Sequence, residues 1–368
     1  MRHIKKILDL PYTAGDGVRW ITRELEKVSP SQICAPVWFD IETTGLSPQN
    51  QEIYLIGAVN MENQSFILDQ WFSDGGAEEE KAILGMFFDS ISENTALISF
   101  NGDAFDLPFI HKRSQLYGLE DPAAECVSLD LYRSLRNYKK LLSLSGTKQI
   151  SFEQCLGADS RSAADGRECI RLYRQYAKAV CKRDSRTTSE PSDGNSETED
   201  QLLAALSHAV LQHNEEDLCG LIRIGSLLSC SQLGEGRIRF LEGHAVPEGL
   251  LCLFETESPV PVQIQFREPG LELYISDGHG KALLESWNGK CRLYHKDYKN
   301  YDYLPGEDMA VHKSLSAYID RSLKKSATPL TCYTPVACTQ ELAEDPDKCT
   351  ALLQSILHLH FGQDTRGA

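Results

Sequence analysis

Residues 37–46 read Val37-Trp38-Phe39-Asp40-Ile41-Glu42-Thr43-Thr44-Gly45-Leu46. Apolar residues run into two acids that alternate with Ile41, and a glycine-containing turn follows. Period-two alternation in a run rich in Val, Trp, Phe and Ile predicts a strand. On a strand, residues i and i+2 point to the same face. Asp40 and Glu42 then project together, about 7 Å apart along the strand, while Val37, Phe39 and Ile41 face the other way. Two like charges so placed resist folding unless a cation sits between them. The plain alternative is an edge strand carrying two solvated acids.

Two further segments favour the cation. Thr95 to Phe109 reads as a buried strand over Ala96–Phe100, a turn at Asn101-Gly102, and a helix capped by Asp103 that carries Asp106 in its first turn. Phe105, Pro108 and Phe109 give that helix an apolar back. Farther on, His213 and Asp217 are spaced i, i+4 and share one face of a predicted helix, among Leu206, Val210, Leu218, Leu221 and Ile222.

With these three segments in this order, the chain resembles the DEDD superfamily of 3′–5′ exonucleases, and more narrowly its YprB-type branch. The signatures that carry the resemblance are the D-x-E strand (Asp40, Glu42), the N-x-x-x-F-D turn and helix (Asn101, Phe105, Asp106), and the final helix (His213, Asp217). The resemblance covers roughly residues 35–230. It implies a ribonuclease H-like mixed sheet flanked by helices, with substrate contacts at Thr43, Asn101 and Phe105. His213 stands at the three-residue gap where the tyrosine type of the family carries Tyr. A histidine at that place has an unperturbed pKa of about 6.5 and serves as a general base.

The charges set the chemistry. Asp40, Glu42, Asp106 and Asp217 converging within about 4 to 6 Å repel strongly, since a like pair at 4 Å costs about 4 kcal/mol at an effective dielectric near 20. Hard divalent ions relieve this. No Cys and no second His accompanies the set, which points to Mg²⁺ or Mn²⁺ rather than Zn²⁺. Two such ions would activate a water and stabilise a leaving 3′ oxygen. The expected function is metal-dependent 3′–5′ exonucleolytic hydrolysis of DNA or RNA at a single-stranded 3′ end. Two alternatives stay open: a nucleic-acid-binding protein without turnover, and a two-metal phosphohydrolase of small phosphoesters.

A net charge of −16 over 368 residues runs against nucleic-acid binding. Between Pro108 and Arg183, however, fourteen Lys and Arg stand against eight Asp and Glu, a balance of +6 that leaves −22 for the remainder. Lys112, Arg113, Arg133, Arg136, Lys139, Lys140 and Lys148 are the expected groove, with Lys139 and Lys140 the expected phosphate contacts. The twelve cysteines are scattered with no C-x-x-C pair. No secretory signal or membrane-length apolar run accompanies them, so reduced thiols and a cytoplasmic, membrane-free protein are expected.

The domain outline has an N-terminal extension at 1–30, a ribonuclease H-like domain at 31–230, and a β-rich accessory domain at 231–368 whose role the sequence does not reveal. Residues 184–200, nearly devoid of hydrophobics, read as a disordered loop within the second of these. Asp130 reads as a helix cap rather than a metal ligand. Beyond residue 230, alternating runs between turns predict an antiparallel sheet of four to six strands, with helices near 309–324 and 347–360. Tyr294–Tyr303 interleaves tyrosines with Lys296 and Lys299, and reads as a tyrosine-rich hairpin in preference to a base-stacking platform.

Overall fold

The computed structural model describes residues 1–10, 14–30, 34–158, 165–187 and 196–362. It divides into two compact units, one formed by residues 1–135 and 147–226, the other by 136–146 and the chain from Leu227 onward.

In chain order the first unit contains β1 (Arg2–Leu8), α1 (Ala14–Val28), β2 (Ala35–Thr43), β3 (Ile53–Glu62), β4 (Ser65–Phe72), α2 (Ala77–Asp89), β5 (Thr95–Ser99), α3 (Asp106–Tyr117), β6 (Val127–Asp130), α4 (Leu131–Leu135), α5 (Gln149–Cys155), α6 (Gly166–Thr187) and α7 (Ser196–Ile224). The six strands form one mixed sheet in the order β1-β4-β3-β2-β5-β6. β1, β4, β3 and β2 pair antiparallel, whereas β2, β5 and β6 run parallel. The alternation along β2 divides its side chains as the period predicts. Val37, Phe39 and Ile41 pack with Ile83 and Phe87 of α2 and with Phe109 and Ile110 of α3. The opposite face of the sheet holds Leu55 and Phe72 against Tyr173 and Tyr176 of α6 and Leu206 and Val210 of α7.

The stretch expected as an N-terminal extension with a helix over Val18–Lys27 forms that helix, as Ala14–Val28, and adds an edge strand ahead of it. β1 pairs with β4 along its whole length. The three Lys and Arg within β1 suit an edge strand, which discourages further pairing by carrying charge. α1 buries Trp20 and Ile21, and a Cβ on Gly17 would stand 2.8 Å from the Ile222 carbonyl of α7, so that approach needs glycine. The loop expected at 184–200 is helical at both flanks, α6 running to Thr187 and α7 starting at Ser196. Residues 188–195 lie outside the described residues.

The second unit begins with α8 (Ser231–Gly234) and a five-stranded antiparallel sheet of β7 (Ile238–Val246), β8 (Gly249–Thr256), β9 (Ile264–Glu268), β10 (Leu271–Ser276) and β11 (His279–Glu285), ordered β7-β8-β11-β10-β9. Then follow β12 (Lys290–Tyr294), β13 (Tyr301–Leu304), β14 (Met309–His312), α9 (Lys313–Ser316), β15 (Lys325–Ser326), β16 (Tyr333–Ala337), α10 (Gln340–Ala343) and α11 (Pro346–Phe361). The helix expected at 309–324 is not formed. Met309–His312 is a strand paired with β13, and Lys313–Ser316 is a single helical turn. Pairing wins there because it buries Ala310 beside Ala327 and Cys332, under Tyr298, Tyr301 and Tyr303. Those tyrosines are therefore structural: the hydroxyls of Tyr303 and Tyr333 both donate to Asp308. Among the described residues no helix is long and apolar enough to cross a membrane.

Candidate metal centre

The site grows from a mismatch in strand length. β5 pairs with β2 only as far as Trp38 opposite Ile98, so Asp40–Thr43 runs on beyond its neighbour. The freed edge is taken up by the first residue of α3: the Ile41 amide donates to Asp106 Oδ1 at 3.2 Å. Asp103, expected to cap α3, does not. It accepts from Ser128 at 2.7 Å and pairs with Arg133, while Phe105 stands at the cap position without a side-chain bond. Immediately after Glu42 the pairing with β3 shifts register by one residue. Such bulges re-aim side chains next to functional sites.

α7 completes the group. His213 Nε2 lies 3.6 Å from Glu42 Oε1 and 3.3 Å from Asp217 Oδ2. One ligand atom from each of these three residues falls within 4.8 Å of the others. The next residue, Asn214, is wholly buried. Its Nδ2 donates to Asp40 Oδ2 at 2.9 Å, and its Oδ1 accepts from Gln70 Nε2 at 2.8 Å. In the sheet, Asp40, Gly57 and Gln70 stand side by side on β2, β3 and β4. Gly57 is the gap through which Asn214 reaches both neighbours, for a Cβ there would sit 2.0 Å from Asn214 Oδ1.

The electrostatics are those of a concentrated negative site. Glu42 and Asp106 are only 8% and 6% exposed. Burial raises the Glu42 pKa well above the usual carboxylate range, and the charges of Asp40 and Asp106 add to this, while the Tyr54 hydroxyl, donating at 3.3 Å, opposes it. Burial likewise raises Asp106, followed by the charge of Asp40, against the hydrogen bond from the Ile41 amide. Carboxyls driven toward the neutral form by burial and by one another gain most from a divalent cation. Glu42, His213 and Asp217 can reach one ion, and Asp40 and Asp106 act on Glu42 through their charges, so the candidate donors are hard oxygens with a single nitrogen, which suits a hard divalent cation.

Of the expected acids, Glu42 and Asp217 gather with His213 within 4.8 Å, while Asp40 and Asp106 lie near enough to raise the Glu42 pKa by their charges. Of the expected substrate contacts, Asn101 is exposed in a left-handed conformation with φ of 65° and donates its amide to Asp130 Oδ1 at 2.8 Å. Phe105 packs on Phe109 at 5.6 Å between centroids, and Thr43 is buried, its hydroxyl turned to the Gly45 carbonyl at 2.8 Å. Asp130 does cap α4, accepting from the Tyr132 amide at 2.9 Å. The expected basic groove fares differently. Arg113 is buried in a pair with Glu80, Arg133 is tied to Asp103, and Lys139 and Lys140 belong to the second unit, where Lys140 binds Glu268 at 2.7 Å. Asn214, Gln70 and Tyr54 escaped the sequence reading. Asn214 left a signal, since a polar residue interrupts the stripe of Val210, Leu218 and Leu221.

A model of the RNase_H superfamily matches residues 37–229, more than half of the chain and the whole span from β2 through α7. A PolC-type DNA polymerase III of Caldanaerobacter subterraneus subsp. tengcongensis is 31% identical over 155 residues, which cover 35% of this chain and 11% of that protein. The chain therefore spans only a small part of that relative. Among solved structures, the zinc-bound E. coli ExoI–ssDNA complex is similar at 11% identity and a TM-score of 0.31, over 89% of this chain and 73% of that one. The family B DNA polymerase of Pyrobaculum calidifontis is similar at 12% identity and a TM-score of 0.38, over 55% and 26%. The match of the family model across the carboxylate-bearing strands and helices establishes that the chain belongs to the RNase_H superfamily.

Proposed function

We propose that the first unit is a divalent-metal-dependent 3′–5′ exonuclease of the DEDD type, of the YprB-like branch, acting on a single-stranded end of DNA or RNA. The observation that carries this reading is the gathering of Asp40, Glu42, Asp106, His213 and Asp217 around the end of one strand, with two of the acids buried. Asp40, Glu42, Asp106 and Asp217 would hold Mg²⁺ or Mn²⁺. When bound, such ions activate water and stabilise the charge that develops on the leaving oxygen.

The chain's own groups have distinct tasks. His213, with Nε2 facing the acids, accepts a proton from the attacking water. Water oxygen then bonds to phosphorus, the bond from phosphorus to the 3′ oxygen of the shortened strand breaks, that oxygen takes a proton from solvent to become the new 3′-hydroxyl, and a nucleoside 5′-monophosphate departs. Tyr54 holds Glu42, Asn214 holds Asp40, and Gln149 fixes the turn of α7 that bears Asp217 by donating to its carbonyl at 2.7 Å. Fixing ligands through such outer contacts typically alters affinity or activity 10- to 100-fold.

The test is incubation with 5′-labelled single-stranded DNA and RNA in Mg²⁺, Mn²⁺ or chelator, beside Asp40→Asn. The expected result is a ladder shortened from the 3′ end, abolished by chelator and reduced by several orders of magnitude in the variant. Equal products from both proteins would assign the cleavage to a contaminant. Hydrolysis of small phosphoesters without cleavage of either oligonucleotide would replace the exonuclease reading with the phosphohydrolase one.

A further inference from the structure

The cations that the sequence offered for substrate are largely spent in ion pairs, yet one helix carries an exposed row of them. On α6, Arg167, Arg171, Arg174 and Lys178 are all exposed. At 3.6 residues per turn these positions fall on one face, and Lys182, also exposed, continues the row. From Arg167 to Lys178 the row spans about 16 Å at 1.5 Å per residue. Beside it runs a shallow groove of about 340 Å³, with Ile170 and Gln175 between the charges. One acid intrudes: Glu168 accepts from Arg171 Nε at 2.8 Å, at the surface. In a chain of net charge −16, a row this uniform in sign stands out.

The same helix is fastened to the metal centre. Tyr173 stacks on Tyr54 with centroids 4.0 Å apart, and Tyr54 is the residue that donates to Glu42. Arg174 Nη2 donates to the Thr44 carbonyl at 2.9 Å, two residues beyond Glu42 on the same chain. The row of cations is therefore tied to the chain near Glu42 at Arg174, within its length, and runs along the surface of the first unit.

We infer that the exposed face of α6 is the track for the phosphodiester backbone of a single-stranded nucleic acid whose end enters the carboxylate site. This rests on the exonuclease reading above and names how that site holds a polymeric substrate. Charge complementarity selects the occupant. The carboxylates repel a polyanion, and cations in line with them offset that repulsion for one backbone. The contacts are to phosphates and not to bases, so binding on this face is independent of sequence and strongly salt-dependent. Arg174, held by Thr44, anchors the track, while Arg167, Arg171 and Lys178 are its readily replaced contacts.

The experiment compares wild type, the triple variant Arg167→Gln/Arg171→Gln/Lys178→Gln, and a charge-preserving variant Arg167→Lys/Arg171→Lys. Affinity for a 5′-fluorescein-labelled oligodeoxythymidylate is read by anisotropy in chelator at several salt concentrations. The hydrolysis of thymidine 5′-monophosphate p-nitrophenyl ester with Mn²⁺, a substrate with one phosphate, is read in parallel. The triple variant should bind the oligonucleotide at least about tenfold more weakly near 0.1 M salt, with a log–log salt slope shallower by about two. The lysine variant should keep most of the affinity, and ester hydrolysis should be the same in all three. Unchanged oligonucleotide affinity and slope in the triple variant would overturn the track. So would a wild type that binds anionic phosphatidylserine vesicles and not the oligonucleotide. If oligonucleotide binding falls as expected but wild type cleaves neither oligonucleotide nor ester, the track stands and the exonuclease reading fails.

Discussion

Asn214 ties together two strands and one helix through a single side-chain amide. Its Nδ2 serves Asp40 and its Oδ1 is fixed by Gln70, so the amide cannot turn over without losing both bonds. Replacing it with Ala removes a donor that holds Asp40 and leaves Gln70 short of an acceptor in a buried place. Asn214→Ala should therefore weaken Mn²⁺ affinity about 10- to 100-fold, as loss of an outer-shell partner does, measured by calorimetry on metal-free protein. An affinity within twofold of wild type would remove Asn214 from that role. Gly57→Ala reaches the same amide from the other side, since the added Cβ meets Asn214 Oδ1 at 2.0 Å. The two variants should lose metal affinity together. At this scale the sequence displayed the candidate ligands but not the residues that hold them. The acids declare themselves by spacing, whereas Asn214, Gly57 and Gln70 become neighbours only through sheet register.

Among the elements, β2 outruns β5, and Asp106 closes the resulting gap by accepting from Ile41. That gives Asp106 two separable roles, one as a charge and one as a hydrogen-bond acceptor. Asp106→Asn keeps an acceptor and should fold with near-native stability while losing metal-dependent hydrolysis. Asp106→Ala strands a buried amide and should cost about 1 to 3 kcal/mol in addition, read by denaturant unfolding. Equal stability of the two variants would show that the Ile41 contact contributes nothing. A second element-level contrast lies at Arg113, which the sequence presents as a groove cation. Its Nε donates to Glu80 Oε1 at 2.7 Å, and Glu80 also accepts from the Ile53 amide and the Tyr117 hydroxyl. Removing one partner of such a buried pair strands the other, so Arg113→Met should destabilise by about 3 to 5 kcal/mol, without the change in oligonucleotide salt slope expected for the α6 cations. Strands β2 to β6 and the helices packed on them were legible because their periods are clean. The misses at Met309–His312 and at Arg2–Leu8 have another cause: short or charged edge strands carry little periodic signal, and their pairing partners decide them.

On the scale of the whole molecule, the buried carboxylates are a defect in stability that a bound cation would repair. Glu42 and Asp106 both have pKa values raised by burial and by Asp40. In the folded, metal-free protein they hold protons that the unfolded chain releases near pH 4. Between there and their raised pKa values the native state binds more protons than the unfolded state, so stability falls as pH rises. The carboxylates with lowered pKa, such as half-buried Asp74 and exposed Asp308, act in the opposite sense, but their influence is exerted below about pH 4. Cys169, pushed up to about 12 by burial and by Glu42, stays a neutral thiol throughout. In chelator, the melting temperature of wild type should therefore decline from pH 5 to pH 8. Asp40→Asn removes the charge that raises both neighbours and should decline less steeply, so that at pH 8 it melts above wild type. Adding Mn²⁺ at 100 times its dissociation constant should restore about 2.7 kcal/mol to wild type, and much less to the variant. A wild-type profile that rises from pH 5 to pH 8 in chelator, or an Asp40→Asn variant that melts below wild type at pH 8, would mean that these acids are not held against their own repulsion, and the electrostatic case for a metal centre would fall with it.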